Sequence, residues 1–257
     1  MKTISISLPK TLKRIELHAL IDWHIGDSCA DFALMQQTID HILSTPNSFC
    51  ALGGDLLDSA TAHSIGDTYG ANLQPMEQLQ SCVKLFKPLA DAGKILCVLH
   101  GNHENRIYKE CGIDITALMA AQLGIPERYS ATTAVLFLKL GNDKKHARPV
   151  RYSLYLTHGG GGGRREGGKI NRLVDYANIV DCDVYVCGHT HLPAVLRNKY
   201  FRTTDMGTVV PAERLFVNCA SALDYGGYGD VQGYKPSSKI NPVIHLDGTT
   251  KRAWAEL

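Results

Sequence analysis

Several things that would send a chain out of the cell or into a bilayer are missing here. The opening residues, MKTISISLPKTLKRIELHALIDWH, contain no seven-residue apolar stretch followed by a small-residue cleavage site, so a secretory signal is not expected. No apolar run approaches the ~20 residues that a bilayer-spanning helix needs, so no membrane partner is expected. The eight cysteines, at 29, 50, 82, 97, 111, 182, 187 and 219, form no CxxC pair. That scatter speaks against a disulfide framework and for free thiols in a reducing, cytoplasmic setting. Charge of one sign is also lacking: 27 Lys and Arg against 25 Asp and Glu leave a formal net charge of +2. No global field advertises nucleic acid or an anionic surface. Repeats and long linkers are absent as well, and 257 residues suffice for one substantial core, so one domain spanning 1–257 is expected.

What the chain does have is a succession of short apolar runs rich in β-branched residues. They predict strands at 15–21, 48–52, 95–99, 134–140, 152–157, 184–187, 215–217 and 243–246. Apolar spacing near 3.6 between them predicts helices at 30–43, 76–92, 113–123 and 169–179. Strands alternating with helices over the first two-thirds argue for βαβ units, and the last forty residues read as short strands and turns without a helix. Loops are predicted at 60–74, 141–149 and in the glycine run after His158.

Ligand-type side chains recur where these strands end. The first strand runs into Asp22-Trp23-His24. Residues i and i+2 of an extended chain point the same way, so a carboxylate and an imidazole would leave together, with Trp23 turned to the core. The second runs into Gly53-Gly54-Asp55-Leu56-Leu57-Asp58, for which a helix N-cap with an acidic first turn is the competing account. The third runs into His100-Gly101-Asn102-His103-Glu104. Asn can ligate through its amide oxygen, and a neighbouring His can serve acid–base chemistry. The strand at 152–157 ends in His158, and the one at 184–187 in Gly188-His189-Thr190-His191. Hard oxygens and imidazoles at five strand ends suit a first-row divalent metal and lie where open α/β sheets build their sites.

The joint order D-x-H, G-D-x-x-D, G-N-H-E, H and G-H-x-H, from Asp22 to His191, resembles the calcineurin-like metallophosphoesterase superfamily. That resemblance implies an α/β fold, a four-layer αββα sandwich of two mixed sheets flanked by helices. It implies two divalent ions, one held by Asp22, His24, Asp55 and His191 and the other by Asp55, Asn102, His158 and His189. Manganese is the expected ion, and iron, zinc or nickel are accepted by the same donors. A hydroxide bridging the two metals would attack phosphorus, His103 would act as general acid on the leaving oxygen, and Asp58 would orient His103. Protein phosphatases of the superfamily carry Arg directly after the second Asp, where this chain has Ser59. Together with the paired His189 and His191, that favours a phosphodiesterase over a protein phosphatase.

Arg106, Arg164 and Arg165 are the candidate phosphate-binding cations, the last two within the glycine-rich run 159–168, whose alternative role is a plain flexible connection. Residues 163–169 even fit G-x-x-x-x-G-K, but Ile170 stands where a nucleotide-binding loop needs a hydroxyl, so an NTPase is rejected. The strand, His, glycine-rich basic loop and helix also look like small phage-encoded members. The expected partner is a small phosphodiester or nucleotide, and a homo-oligomer is compatible with this reading. A DNA exo- or endonuclease and a phosphomonoesterase are the alternatives, ahead of a metal-bound scaffold without turnover. Roughly 65 residues follow His191 and no aromatic-basic groove is evident, which disfavours tight nucleic-acid binding. His18, His41, His63, His146 and His245 fall outside the motifs and read as structural or surface residues. Tyr225, Tyr228 and Tyr234 read as a turn-rich edge.

Overall fold

Alternation along the strands decides how the layers stack. The structure, a computed structural model, describes residues 1–64, 68–141 and 148–257. Its elements begin with β1 (Lys2–Ser7), β2 (Arg14–Leu20), α1 (Phe32–Ser44), β3 (Ser48–Leu52), α2 (Pro75–Asp91) and β4 (Ile95–Leu99). There follow α3 (Glu104–Cys111), α4 (Ile115–Gln122), β5 (Tyr129–Ser130), β6 (Ala134–Leu140), β7 (Val150–Leu156), α5 (Glu166–Asp175) and β8 (Val184–Cys187). The chain closes with β9 (Ala194–Thr203), β10 (Val209–Asn218), α6 (Gly227–Val231), β11 (Val243–Asp247) and β12 (Ala253–Glu256).

Two six-stranded mixed sheets result. One has the order β12-β11-β2-β3-β4-β5, parallel from β2 to β5 and antiparallel at β11 and β12. The other has the order β1-β6-β7-β8-β10-β9, in which β6–β7 and β9–β10 are antiparallel and the remaining pairs parallel. On β2, Ile15, Leu17 and Ala19 face the second sheet and pack with Leu136, Leu154 and Val217 between the layers. Leu20 faces the other way, onto helices, with Cys50, Leu52 and Val98 beside it. Met35, Ile39 and Ile42 of α1 and Leu79, Cys82, Phe86 and Leu89 of α2 cover that face. Their i, i+3, i+4 spacing puts them on one stripe. On the far side, Leu173 of α5 packs with Tyr155, Tyr185 and Phe216. The architecture is therefore the four-layer αββα sandwich that the resemblance implies. Fully burying a side chain such as Phe86 stabilises by roughly 1.5–3 kcal/mol, so Met35→Ala would cost about 2–5 kcal/mol.

Local signals agree where they are strong. Asp31 caps α1 by accepting from the Leu34 N–H at 2.9 Å, and Glu77 accepts from the Gln74 N–H at 2.8 Å ahead of α2, which starts on Pro75. Elsewhere the sequence reading needs correction. The strand predicted at 215–217 is the buried end of the ten-residue β10, paired with an equally long β9 that was not predicted. Most of that hairpin is solvent-facing and carries Arg197, Lys199 and Glu213, so its apolar content is low. β1, the two-residue β5, β12 and the polar helix α3 are likewise absent from the predicted elements, and α6 is a helix where none is expected. The helix predicted at 169–179 begins earlier, at Glu166, and takes Gly167 and Gly168 into its first turn. The alternation of strand and helix holds for β2-α1-β3-α2-β4, whereas β6 and β7 form an antiparallel pair. Parts of the predicted loops, 65–67 and 142–147, lie outside the described residues, as does His146. Among the described residues no helix is long and apolar enough to cross a membrane.

Candidate metal centre

The loops leaving β2, β3, β4, β7 and β8 carry all seven predicted ligands, and the chain turns unusually to aim them. β2 ends at Leu20, and Asp22 and His24 follow it with φ of 56° and 46°. The extended i, i+2 geometry expected for this pair is thus corrected: left-handed backbone brings the two side chains to one side. Trp23 between them is buried at 5.3 Å from the Phe86 ring, in the core as expected. Asp55, Ser59, His189 and His191 also have φ between 50° and 63°. These six are the only non-glycine residues of positive φ among the described residues. Such conformations cost of order 1–3 kcal/mol each and persist where the surroundings over-determine them. Residues 53–58 form no helix, which removes the N-cap account of Asp55 and Asp58.

The loops are locked together through the backbone. Asp22 N–H donates to the Gly54 carbonyl at 3.1 Å and His24 N–H to the Asp55 carbonyl at 2.9 Å. A Cβ on Gly101 would lie 2.2 Å from the Asp55 nitrogen, so this close approach of two loops requires glycine. Glu104 is the main clamp, and sequence reasoning gave it no role. Its fully buried carboxylate accepts from the N–H groups of Gly101 and Asp55 through Oε2, both at 3.0 Å. Through Oε1 it accepts from Leu56 at 2.7 Å and Leu57 at 3.1 Å. Its linear signals are its place as the last residue of the G-N-H-E motif and an acid opening a helix. Asn218, at the end of β10, was also missed: its Nδ2 donates to Thr190 Oγ1 at 2.7 Å and steadies the 189–192 turn.

Two clusters result. The donor atoms of Asp22, His24 and His191 lie within 4.8 Å of one another, and so do those of Asp55, His158 and His189. In the first, Asp22 Oδ1 is 3.5 Å from His191 Nε2 and 3.9 Å from His24 Nε2. In the second, His158 Nε2 is 3.1 Å from Asp55 Oδ2 and 2.9 Å from Asn102 Oδ1. His158 also links the halves, with Nε2 3.9 Å from Asp22 Oδ1.

A cation fits this arrangement better than hydrogen bonding does. Asp22 Oδ1 is buried and has no hydrogen-bond partner among the described residues, although three imidazoles surround it. The Gly53 carbonyl, 3.1 Å from His158 Nδ1, can only accept, so Nδ1 carries the proton. Nε2 then turns a lone pair toward two oxygens, an arrangement that needs a positive charge between them. Metal-ligating histidines characteristically tie off the other ring nitrogen in this way. Where a proton supplies that charge, burial opposes it but Asp55 and Asp22 push the His158 pKa up to about 10. Burial would raise the Asp55 carboxyl, yet His158, His103 and His24 hold it well below the usual range. His24 and His189 are both lowered, burial being the leading cause, and so present neutral rings.

His103 and Asp58 stand beside these clusters. His103 Nδ1 donates toward the Asp58 carbonyl at 2.9 Å and lies 3.1 Å from Asp58 Oδ1, while Nε2 is 3.7 Å from Asp55 Oδ2. Burial lowers its pKa, but the bond to Asp58 and the charge of Asp55 more than offset this and raise it. Arg106 is partly buried against His103 and Asp58. Its Nη1 donates to the Asp58 carbonyl at 3.0 Å and its Nη2 lies 3.0 Å from His103 Nε2. Arg164 is engaged elsewhere, donating to the Gln232 carbonyl at 3.2 Å and lying over the Tyr234 ring at 5.6 Å. Arg165 is exposed at the N-cap of α5. Lys169 Nζ donates to the Thr190 carbonyl at 2.8 Å, next to both histidines of the last motif.

Residues 22–193 match the family described as calcineurin-like phosphoesterase. No match is found among curated proteins. Among solved structures, the chain is similar to Vacuolar Protein Sorting 29 from Cryptosporidium parvum, at 13% identity over 95% of this chain and 97% of that one, with a TM-score of 0.42. It is similar to a metallophosphoesterase from Sphaerobacter thermophilus, at 13% identity over 94% and 87%, with a TM-score of 0.41. It is also similar to the nuclease MPE of Pseudomonas putida, at 14% identity over 93% and 87%, with a TM-score of 0.34.

Proposed function

This chain belongs to the calcineurin-like phosphoesterase family, and from that premise we propose that it is a binuclear metal-dependent phosphodiesterase working as one domain. The observation that carries the reading is the meeting of two ligand clusters around an orphaned Asp22 Oδ1, with His103 alongside. Asp22, His24 and His191 would hold one divalent ion, Asn102, His158 and His189 the other, and Asp55 both. Manganese suits this mixture of carboxylate, amide oxygen and imidazole, as iron, zinc or nickel also would. When bound, such a pair lowers the pKa of water enough to supply a nucleophile at neutral pH and offsets charge building on the phosphoryl oxygens.

The protein's own residues then handle the leaving group. Asp58 holds the Nδ1 proton of His103, and Nε2, which accepts from Arg106 Nη2 in this arrangement, is the atom that would carry a proton to the departing oxygen once Arg106 turns to the phosphoryl group. Arg106, with Nη2 3.0 Å from that nitrogen, is the cation that would meet a phosphoryl oxygen. A diester carries one negative charge at the reacting phosphate and a monoester about two, so a monoester site gains more from an extra cation. Ser59, in the position where the protein phosphatases carry Arg, is fully buried and supplies no charge, which supports a small diester or nucleotide substrate. The test compares bis(p-nitrophenyl) phosphate with p-nitrophenyl phosphate under added manganese. Faster hydrolysis of the diester, abolished by a chelator, is expected; activity that survives complete metal removal would overturn the reading.

A further inference from the structure

Three histidines outside the central cluster are gathered at one place on the outer face of the first sheet. β2 and β11 pair antiparallel with His245 opposite Glu16 and Val243 opposite His18. Strand alternation puts Glu16 and His18 on the face turned away from the inter-sheet core, where α1 packs. His41, near the end of α1, comes down on them. Glu16 Oε2 lies 3.4 Å from His41 Nε2 and 3.9 Å from His18 Nε2. One donor atom from each of the three falls within 4.8 Å of the others, and the two rings meet edge-on at 5.3 Å.

His18 has no evident reason to be polar. It is 8% exposed, and its buried Nε2 lacks a hydrogen-bond partner among the described residues. Leaving such an atom unpaired costs about 1–3 kcal/mol, whereas an aliphatic side chain would suit a sheet–helix interface. Burial, reinforced by His41, lowers the His18 pKa to about 4, so the ring is neutral and can offer a lone pair. The His41 side chain is 53% exposed, which leaves a way in from solvent. On the other flank the His245 ring stacks on Trp254 at 5.1 Å and walls the site.

We propose that Glu16, His18 and His41 form a second divalent-metal site, of the two-histidine, one-carboxylate kind suited to zinc, that pins α1 to β2. Zinc bonds of about 2.0–2.2 Å in a tetrahedron separate the ligand atoms by roughly 3.3–3.5 Å, and water takes the fourth position. The observed 3.4 and 3.9 Å reach that geometry by small side-chain rotations. The site shares no ligand with the central cluster, so its occupancy is a matter of stability and not of turnover.

The probe is Zn2+ alone, added to the metal-stripped full chain and counted by equilibrium dialysis with elemental analysis. The expected result is one equivalent fewer in His41→Ala and in Glu16→Gln than in the unaltered protein, and the same deficit when each is combined with Asp55→Ala. Zinc should also raise Tm further in the unaltered protein than in either variant. His41 is exposed on a helix, so its loss leaves the fold intact and the count interpretable. Equal zinc in all three proteins would overturn the proposal. If the variants bound equal zinc but had a lowered Tm, Glu16 and His41 would be an ion pair only, which overturns it equally.

Discussion

Asp22, His24, Asp55, His189 and His191 hang from loops with positive φ, whereas Glu16 and His18 sit on a regular strand and His41 on a regular helix. Both regions gather imidazoles and carboxylates, yet they are built by opposite means. At the edge, i, i+2 spacing on a strand and one helical residue suffice, and no backbone is strained. At the centre, residues from five loops converge so tightly that the chain turns left-handed at Asp and His, whose short polar side chains tolerate it better than most. That strain is offset by fixed hydrogen bonds, above all those accepted by Glu104. A site assembled from regular elements costs little and does one simple thing. A site assembled from strained loops is preorganised, which a reaction needs.

Three substitutions would break or sharpen that contrast. The largest effect is expected for Asp55→Ala, which removes the carboxylate common to both halves. A fall in kcat/KM on the order of 10^3-fold or more should accompany loss of both bound manganese ions, since metals contribute several kcal/mol to such reactions. Retention of two ions would show that the halves are independent, as the edge cluster is. His103→Ala comes next: metal content should stay unchanged while diesters with poor leaving groups slow by about 10^2–10^4-fold and p-nitrophenyl esters by less. Equal slowing of both kinds would argue that His103 positions substrate and donates no proton. Glu104→Gln is the mildest, because it leaves every ligand in place. Replacing an accepting oxygen by an NH2 group opposite buried N–H donors should cost about 3 kcal/mol in urea unfolding. Manganese affinity should weaken with it, and unchanged affinity would mean that the loops hold their turns without the clamp.

Much of this was legible before folding and some was not, for physical reasons. The mainly apolar runs at 48–52, 95–99 and 184–187 coincide with β3, β4 and β8, because strands buried on both sides carry few polar side chains. The β9–β10 hairpin escaped because its outward positions are charged and its buried ones few. The ligand motifs could be picked out because each lies directly after such a strand. Left-handed backbone could not be read, since Asp and His carry no conformational signature comparable to glycine's. The contacts of Glu104 with residues 55–57, and of His41 with Glu16, span 47 to 49 and 25 positions and exist only once the sheet has formed.

The positive φ of five ligand residues also changes how substitutions there are to be interpreted. Alanine at Asp22, His24, Asp55, His189 or His191 removes a donor and also puts a Cβ-bearing residue without a polar tip into a conformation it resists by roughly 1–2 kcal/mol. Glycine removes the same donor but adopts that conformation freely. The stability gap between the alanine and glycine versions of one position is therefore a gauge of backbone strain, read separately from chemistry. Where the gap is wide, an alanine scan overstates what the lost ligand contributed.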